Sequence, residues 1–165
     1  MQLELLQAIA EAGKPIIFVN VSGSCLNLTQ ADQSCNGVIQ FFYGGAEGGA
    51  ALADILFGKV SPSGRLPVTF YRSTDDLPPF EDYSMENRTY KFFKGSPLYP
   101  FGHGLTYGEI EEQWQDDGSV TLISHSTYDI PYTVLKYEYL PHKSLCGYQK
   151  VLVKSGETVT VTFKE

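Results

Sequence analysis

Apolar positions at the start of the chain recur at helical spacing: Leu3, Leu5, Leu6 and Ile9 lie along Gln2 to Ala12, with Gly13 where a left-handed helix stop would sit and Pro15 beyond it. This predicts a helix followed by a strand. Ile16 to Val21 is a β-branched apolar run suited to a strand buried on both faces, the habit of parallel sheets flanked by helices, and Val38 to Tyr43 repeats that character. Leu28 to Ser34 supplies a short connecting helix, and Glu47 to Leu56 a better one with Leu52, Ile55 and Leu56 facing inward. The resulting α-β-α-β-α order argues for the α/β class, with a small open parallel sheet flanked by helices, and Leu66 to Phe70 offers a further strand.

Periodicity is lost from Tyr71 to Gly104, where prolines, glycines and acidic residues predict a long loop. Its aromatics, Phe80, Tyr83, Tyr90, Phe92, Phe93, Tyr99 and Phe101, favour order. Beyond Tyr107 the alphabet changes to strand formers, with runs at Val120 to Ile123, Tyr132 to Leu140, Gly147 to Val153 and Thr158 to Phe163. In the last of these Val159, Val161 and Phe163 alternate with threonines, as expected of a half-exposed strand. Two regions follow from this reading: an α/β part over residues 1–106 and an all-β part over 107–165.

Composition supports a packed, globular chain, with 42% hydrophobic and 13% aromatic residues in 165. The formal charge of −7 is spread over both regions. Neither has the basic face that a phosphate backbone requires, so a nucleic-acid partner is not expected. The longest apolar runs are too short to cross a bilayer, and no membrane partner is expected. Cys25, Cys35 and Cys146 show no paired metal spacing, so no zinc site is expected, and Cys25 with Cys35 is the one local candidate for a disulfide. The compartment is left open.

Chemistry-bearing residues all have structural explanations beside functional ones. The glycine loop from Gly44 to Gly49 precedes a helix but lacks the spacing of a dinucleotide or phosphate loop, and tight turning explains it. Glu47, in the first turn of the predicted helix, is either a cap or a ligand contact at the carboxyl end of the sheet, where open α/β folds bind ligands. Asp75, Asp76, Glu81, Asp82 and Glu86 invite a search for a facing pair of carboxyl groups, about 5 to 9 Å apart, able to act as acid and as nucleophile or base. A solvated acidic loop explains them too. Arg65 and Arg88 are candidates for holding a carboxylate or the hydroxyls of a ligand, and Tyr90 or Phe92 for stacking on a ligand ring, against the alternatives of ion pairing and core packing. His103 sits between two glycines and suits a tight turn, while His125 and His142 read as surface residues. Gly23-Ser24-Cys25 lacks the nucleophile-elbow pattern.

Four punctuated segments occur in one order: Tyr43-Gly44-Gly45-Ala46-Glu47-Gly48-Gly49, Leu56-Phe57-Gly58, Pro62-Ser63-Gly64-Arg65-Leu66-Pro67, and Tyr99-Pro100-Phe101-Gly102-His103-Gly104-Leu105-Thr106-Tyr107. Together they resemble the second domain of glycoside hydrolase family 3, the β-glucosidase and β-xylosidase group. Leu145 to Val151 and Ser155 to Thr158 extend the likeness into a fibronectin type III-like stretch. The resemblance implies hydrolysis of β-linked glucosides or xylosides by a complete enzyme, with no cofactor. It further implies a TIM-like barrel, absent here, that supplies the aspartate nucleophile, and a glutamate acid/base ahead of the first helix of this chain. No catalytic residue is thereby carried onto these positions, which leaves Glu47, Arg88 and Tyr90 as substrate-contact candidates. The alternative is a non-catalytic carbohydrate-binding or interaction module derived from the same fold. At 59 residues the β region falls short of the roughly 100 of a complete sandwich, so a truncated all-β segment is expected.

Overall fold

The computed structural model describes residues 2–163. Two compact units share the chain, one holding the residues up to Gly49 with Pro67–Phe101, the other holding Ala50–Leu66 with the chain from Gly102 onward.

The first unit opens with α1 (Gln2–Ala10), stopped by Gly13 at φ 64°. Strands β1 (Ile17–Val21) and β2 (Gly37–Phe41) pair in parallel with Ile17 opposite Gly37 and Val21 opposite Phe41, and α2 (Thr29–Ser34) connects them. The Asn36 side chain fixes the strand entry by accepting from the Ile16 N–H at 2.9 Å. Burial on both faces is not what β1 shows. Ile17 and Val21 are 53% and 59% exposed, and the buried member of the strand is the polar Asn20, because two strands and short helices give an apolar face little to pack against. Nor does Leu66 to Phe70 add a sheet strand: Phe70, fully buried, makes one isolated antiparallel bridge to Tyr99. Leu6, Leu28, Ala31 and Leu98 are the other buried apolar side chains of this unit. Two bonds tie α2 to the later segment, from Tyr99 Oη to Asp32 Oδ1 at 2.5 Å and from Thr29 Oγ1 to Arg72 O at 2.9 Å.

Helix α3 (Gly48–Leu56) starts one residue after Glu47, with Leu52 and Ile55 half-buried and Leu56 exposed. The 71–104 stretch is loop apart from a 3-10 turn at Thr74–Asp76 and the single-turn α4 (Thr89–Phe92).

In the second unit β3 (Ile110–Trp114), β4 (Val120–Ser124) and β7 (Thr158–Val161) form an antiparallel sheet in the order β3-β4-β7, and β5 (Ile130–Glu138) pairs antiparallel with β6 (Ser144–Val153). Strand β3 was not among the runs expected from sequence. Val120, Leu122, Val134, Val153 and Val161 build one core from β4, β5, β6 and β7, with Ile110, Tyr132, Val151, Val159 and Phe163 packed around it. Each such aliphatic side chain withdrawn from water contributes about 1.5–3 kcal/mol before the entropy of ordering is subtracted.

Two of the punctuated segments are zipped together here. Leu66 N–H donates to His103 O and Gly102 N–H to Leu66 O, both at 2.8 Å, while Arg65 donates to Gly104 O at 2.9 Å and to Thr133 O at 3.2 Å. Its guanidinium lies 4.9 Å from the centre of the Tyr132 ring. Gly104 is obligatory, since a Cβ there would stand 2.1 Å from the Gly64 carbonyl oxygen.

Candidate functional site

The carboxyl ends of β1 and β2 carry a polar cluster that sequence reasoning missed. Asn20 and Gln40 are register partners, and the Asn20 amide donates to Gln40 Oε1 at 2.6 Å and to Ser22 Oγ at 2.9 Å. Gln40 Nε2 returns to Ser22 O and Oγ at 3.2 Å, and Ser22 Oγ donates to Ser24 O at 2.8 Å. The two amides thereby pin the Ser22–Ser24 loop where ligands enter open α/β folds. A signal existed: one polar residue interrupts each apolar strand, as a buried hydrogen-bonded pair requires.

The loop after β2 brings Glu47 to the same end of the parallel pair. It stands in the turn before α3, exposed, instead of in the first helical turn. Close packing shapes this loop, for a Cβ on Gly44 would lie 2.5 Å from the Phe41 ring.

The other candidates lie in the 71–104 loop. Arg88 donates from Nη2 to Pro79 O and Asp82 O, both at 2.8 Å, and so braces the acidic stretch from within. Tyr90 stacks on Phe101 with ring centres 4.1 Å apart and 13° off parallel. Phe92, half-buried, closes α4. The carboxylates are engaged locally. Asp75 and Asp76 close a capping arrangement with Ser73, Asp82 accepts from the Ser84 N–H at 2.9 Å, and Glu86 pairs with Lys94 at 2.8 Å. The backbone and side-chain hydrogen bonds of Ser84 hold the Asp82 carboxyl below its usual range. Glu81 is exposed.

Met85, Asn87 and Thr89 all adopt left-handed backbone, at φ 64°, 56° and 54°. Each such residue costs of order 1–3 kcal/mol and persists only where surroundings over-determine it. Here Asn87 donates to Asp76 O and accepts from Lys94 N–H, and Tyr71 Oη accepts from Thr89 N–H at 3.0 Å. Burial pushes the Tyr71 phenol up, so it stays protonated as part of this brace. The strain flanks Arg88 on both sides and immediately precedes Tyr90.

Elsewhere, His103 is half-buried and its carbonyl serves the zipper, His125 pairs with Glu111 at 3.1 Å, and His142 is exposed. Cys25, Cys35 and Cys146 are free thiols, and burial pushes the Cys35 thiol up. Among the described residues no cluster of His, Cys, Asp and Glu offers a metal site.

The sequence pattern of the glycosyl hydrolase family 3 C-terminal domain matches residues 1–107. This chain belongs to glycosyl hydrolase family 3, as its C-terminal domain. Among curated relatives of this family 3 chain, a xylan 1,4-beta-xylosidase of Xylanibacter ruminicola is 39% identical over 99% of the chain and 21% of its own length. A periplasmic beta-glucosidase of Salmonella typhimurium is 32% identical over 98% of the chain and 25% of its own length. The chain thus spans about a fifth to a quarter of these relatives. The solved family 3 beta-glucosidase of Bifidobacterium adolescentis superposes with a TM-score of 0.80 at 29% identity, over 98% of this chain and 28% of that one. All four punctuated segments lie within the matched residues, and the zipper of Arg65, Leu66 and Gly102–Gly104 gives two of them a structural reason.

Proposed function

We propose that this chain is the C-terminal portion of a retaining β-glycosidase of the glucosidase or xylosidase type, contributing loops and scaffold to a sugar pocket whose nucleophile and acid/base are housed in other residues of the enzyme. The observation that carries this reading is the family match over residues 1–107 in a chain spanning about a fifth of its relatives. Local geometry supports it: the loop carboxylates Asp75, Asp76, Asp82 and Glu86 are committed to caps, turns and an ion pair, whereas a two-carboxylate mechanism needs a facing pair. In this reading residues 107–165 form the beginning of a fibronectin type III-like module. Glu47, Arg88 and Tyr90 remain the side chains proposed to face sugar, with the Asn20–Gln40–Ser22 cluster shaping the neighbouring loop.

The chain alone is therefore inactive. Incubated with aryl β-glucosides and β-xylosides, it is expected to release no more phenol than a heat-treated control. Turnover above that control that scales with protein would overturn the reading. A second reading, a carbohydrate-binding or interaction module without chemistry, draws on Phe80 and Tyr83, which stand 82% and 83% exposed in the same loop. Saturable sugar binding abolished by their replacement with alanine would favour it.

A further inference from the structure

The antiparallel unit carries an aromatic feature that neither its core nor the pocket reading uses. Trp114, the one tryptophan of the chain, ends the edge strand β3 and is 43% exposed. It is not a loose surface ring. Its indole lies 12° from parallel with Phe163 at a centre separation of 5.9 Å, and its Nε1–H donates to Glu112 Oε2 at 3.1 Å. The other oxygen of the same carboxylate accepts from Tyr132 Oη at 2.9 Å. Glu112 faces the same side of the sheet as Leu122, its register partner, but on the edge strand its carboxylate stays exposed beside the indole. Lys136 completes the group, with its ammonium 5.4 Å from the centre of the Phe163 ring.

We propose that Trp114, with Glu112 and Lys136, forms a saccharide-binding platform for β-linked glucan or xylan chains, separate from the pocket. A β-gluco or β-xylo pyranose carries its substituents equatorially. Its axial C–H face is apolar and flat, which suits an indole, while its hydroxyls radiate in the ring plane and need donors and acceptors at the rim of that indole. Trp114 supplies the flat face. Glu112 supplies acceptors, since two donors occupy only about half of the lone-pair sites of a carboxylate, and Lys136 supplies a donor. The stack with Phe163 and the indole bond fix the ring beforehand, so little ordering entropy is left to lose on binding. An unidentified protein surface would call for a larger apolar patch than these rings provide. This inference rests on the sugar chemistry of the preceding reading, but needs neither the pocket nor turnover.

The test is titration of the full chain with xylohexaose and cellohexaose, read by the fluorescence of Trp114, together with retardation in xylan- and β-glucan-containing native gels. A saturable spectral shift and retardation are expected, with retardation falling roughly tenfold or more in Trp114→Ala and clearly in Glu112→Gln, which keeps the size of the side chain. Far-UV circular dichroism establishes that each variant keeps its β-structure, and Glu112→Gln stands in should Trp114→Ala fail to fold. The proposal is overturned if neither saccharide shifts the emission, if both variants are retarded like the parent, or if Tyr90→Ala abolishes retardation while Trp114→Ala does not. In the last case the pocket reading survives and the platform does not. Emission that shifts with protein concentration alone, without sugar, would assign the face to self-association and equally overturn the platform.

Discussion

The antiparallel strands bury one apolar core between them, whereas the parallel pair and its first helix leave apolar side chains in solvent and bury a polar one. In the first case Val120, Leu122, Val134 and Val153 are inaccessible, and they come from strands that face one another. In the second, Leu3 and Leu5 of α1 and Ile17 and Val21 of β1 are each more than half exposed, while the polar Asn20 is buried. The difference teaches where stability resides. An apolar side chain left in water adds little to stability, so the parallel pair draws less from its apolar residues than the antiparallel strands do from theirs.

The largest expected effect probes that contrast directly. Leu122→Ala should destabilise the antiparallel unit by about 2–5 kcal/mol, the usual cost of emptying a closed core, seen as a lower urea midpoint of Trp114 fluorescence. Ile17→Ala should change the exchange protection of the β1 and β2 amides by less than about 1 kcal/mol, since its side chain is already half in water. Equal costs at the two sites would break the comparison, because they would mean that β1 finds cover in solution.

The same contrast explains what could be read from sequence. Runs such as Thr158 to Phe163 announced their strands because an apolar residue at every second position has one economical use, a face against a core. Strand β3 escaped because, as an edge strand, it is exposed beyond Ile110, and Glu112, on the face that carries Leu122, is a glutamate bonded to Tyr132 and Trp114, so no apolar alternation marks it. In the parallel unit the runs at Ile16 to Val21 and Val38 to Tyr43 marked the two strands but not their environment, and the run at Leu66 to Phe70 marked no sheet strand, since burial and pairing depend on neighbours that a run cannot name. Glu47, Arg88 and Tyr90 could be singled out from sequence only as residue types, and their contact with sugar is part of the proposal. The Asn20–Gln40 pair could not be singled out, because it exists only once two strands twenty residues apart are set in register.

An intermediate effect is expected in the 71–104 loop, which is held by hydrogen bonds and left-handed backbone instead of a core. Arg88→Met keeps the aliphatic stem but removes the bonds to Pro79 O and Asp82 O. Bonds to a charged group are worth about 1.5–3 kcal/mol when buried, and the partial exposure of Arg88 reduces that to about 1–2 kcal/mol for opening the loop. Hydrogen exchange across residues 79–92 should quicken by roughly tenfold, with the amides of β4 and β5 unaffected. Unchanged exchange in the loop would show that the Tyr90–Phe101 stack and the Asn87 bonds suffice without the arginine.

The smallest effect is a slope at high pH. Burial, and after it the Glu112 carboxylate, push the Tyr132 phenol up from 10.0 to about 12, with the Arg65 guanidinium pulling weakly the other way. The folded unit thus holds the phenolic proton more tightly than the unfolded chain does. Stability from this source is complete below about pH 10, where both states are protonated, and is lost as pH rises from there through about 12. Tyr99 is raised as well, by burial and then by its bond to Asp32, but it belongs to the parallel unit. Trp114 fluorescence isolates the antiparallel one, so urea midpoints read from it should fall between pH 10 and 12 in the parent and more gently in Tyr132→Phe. Identical slopes in the two proteins would place the alkaline sensitivity elsewhere and remove Tyr132 as the link between Arg65 and the Glu112–Trp114 group.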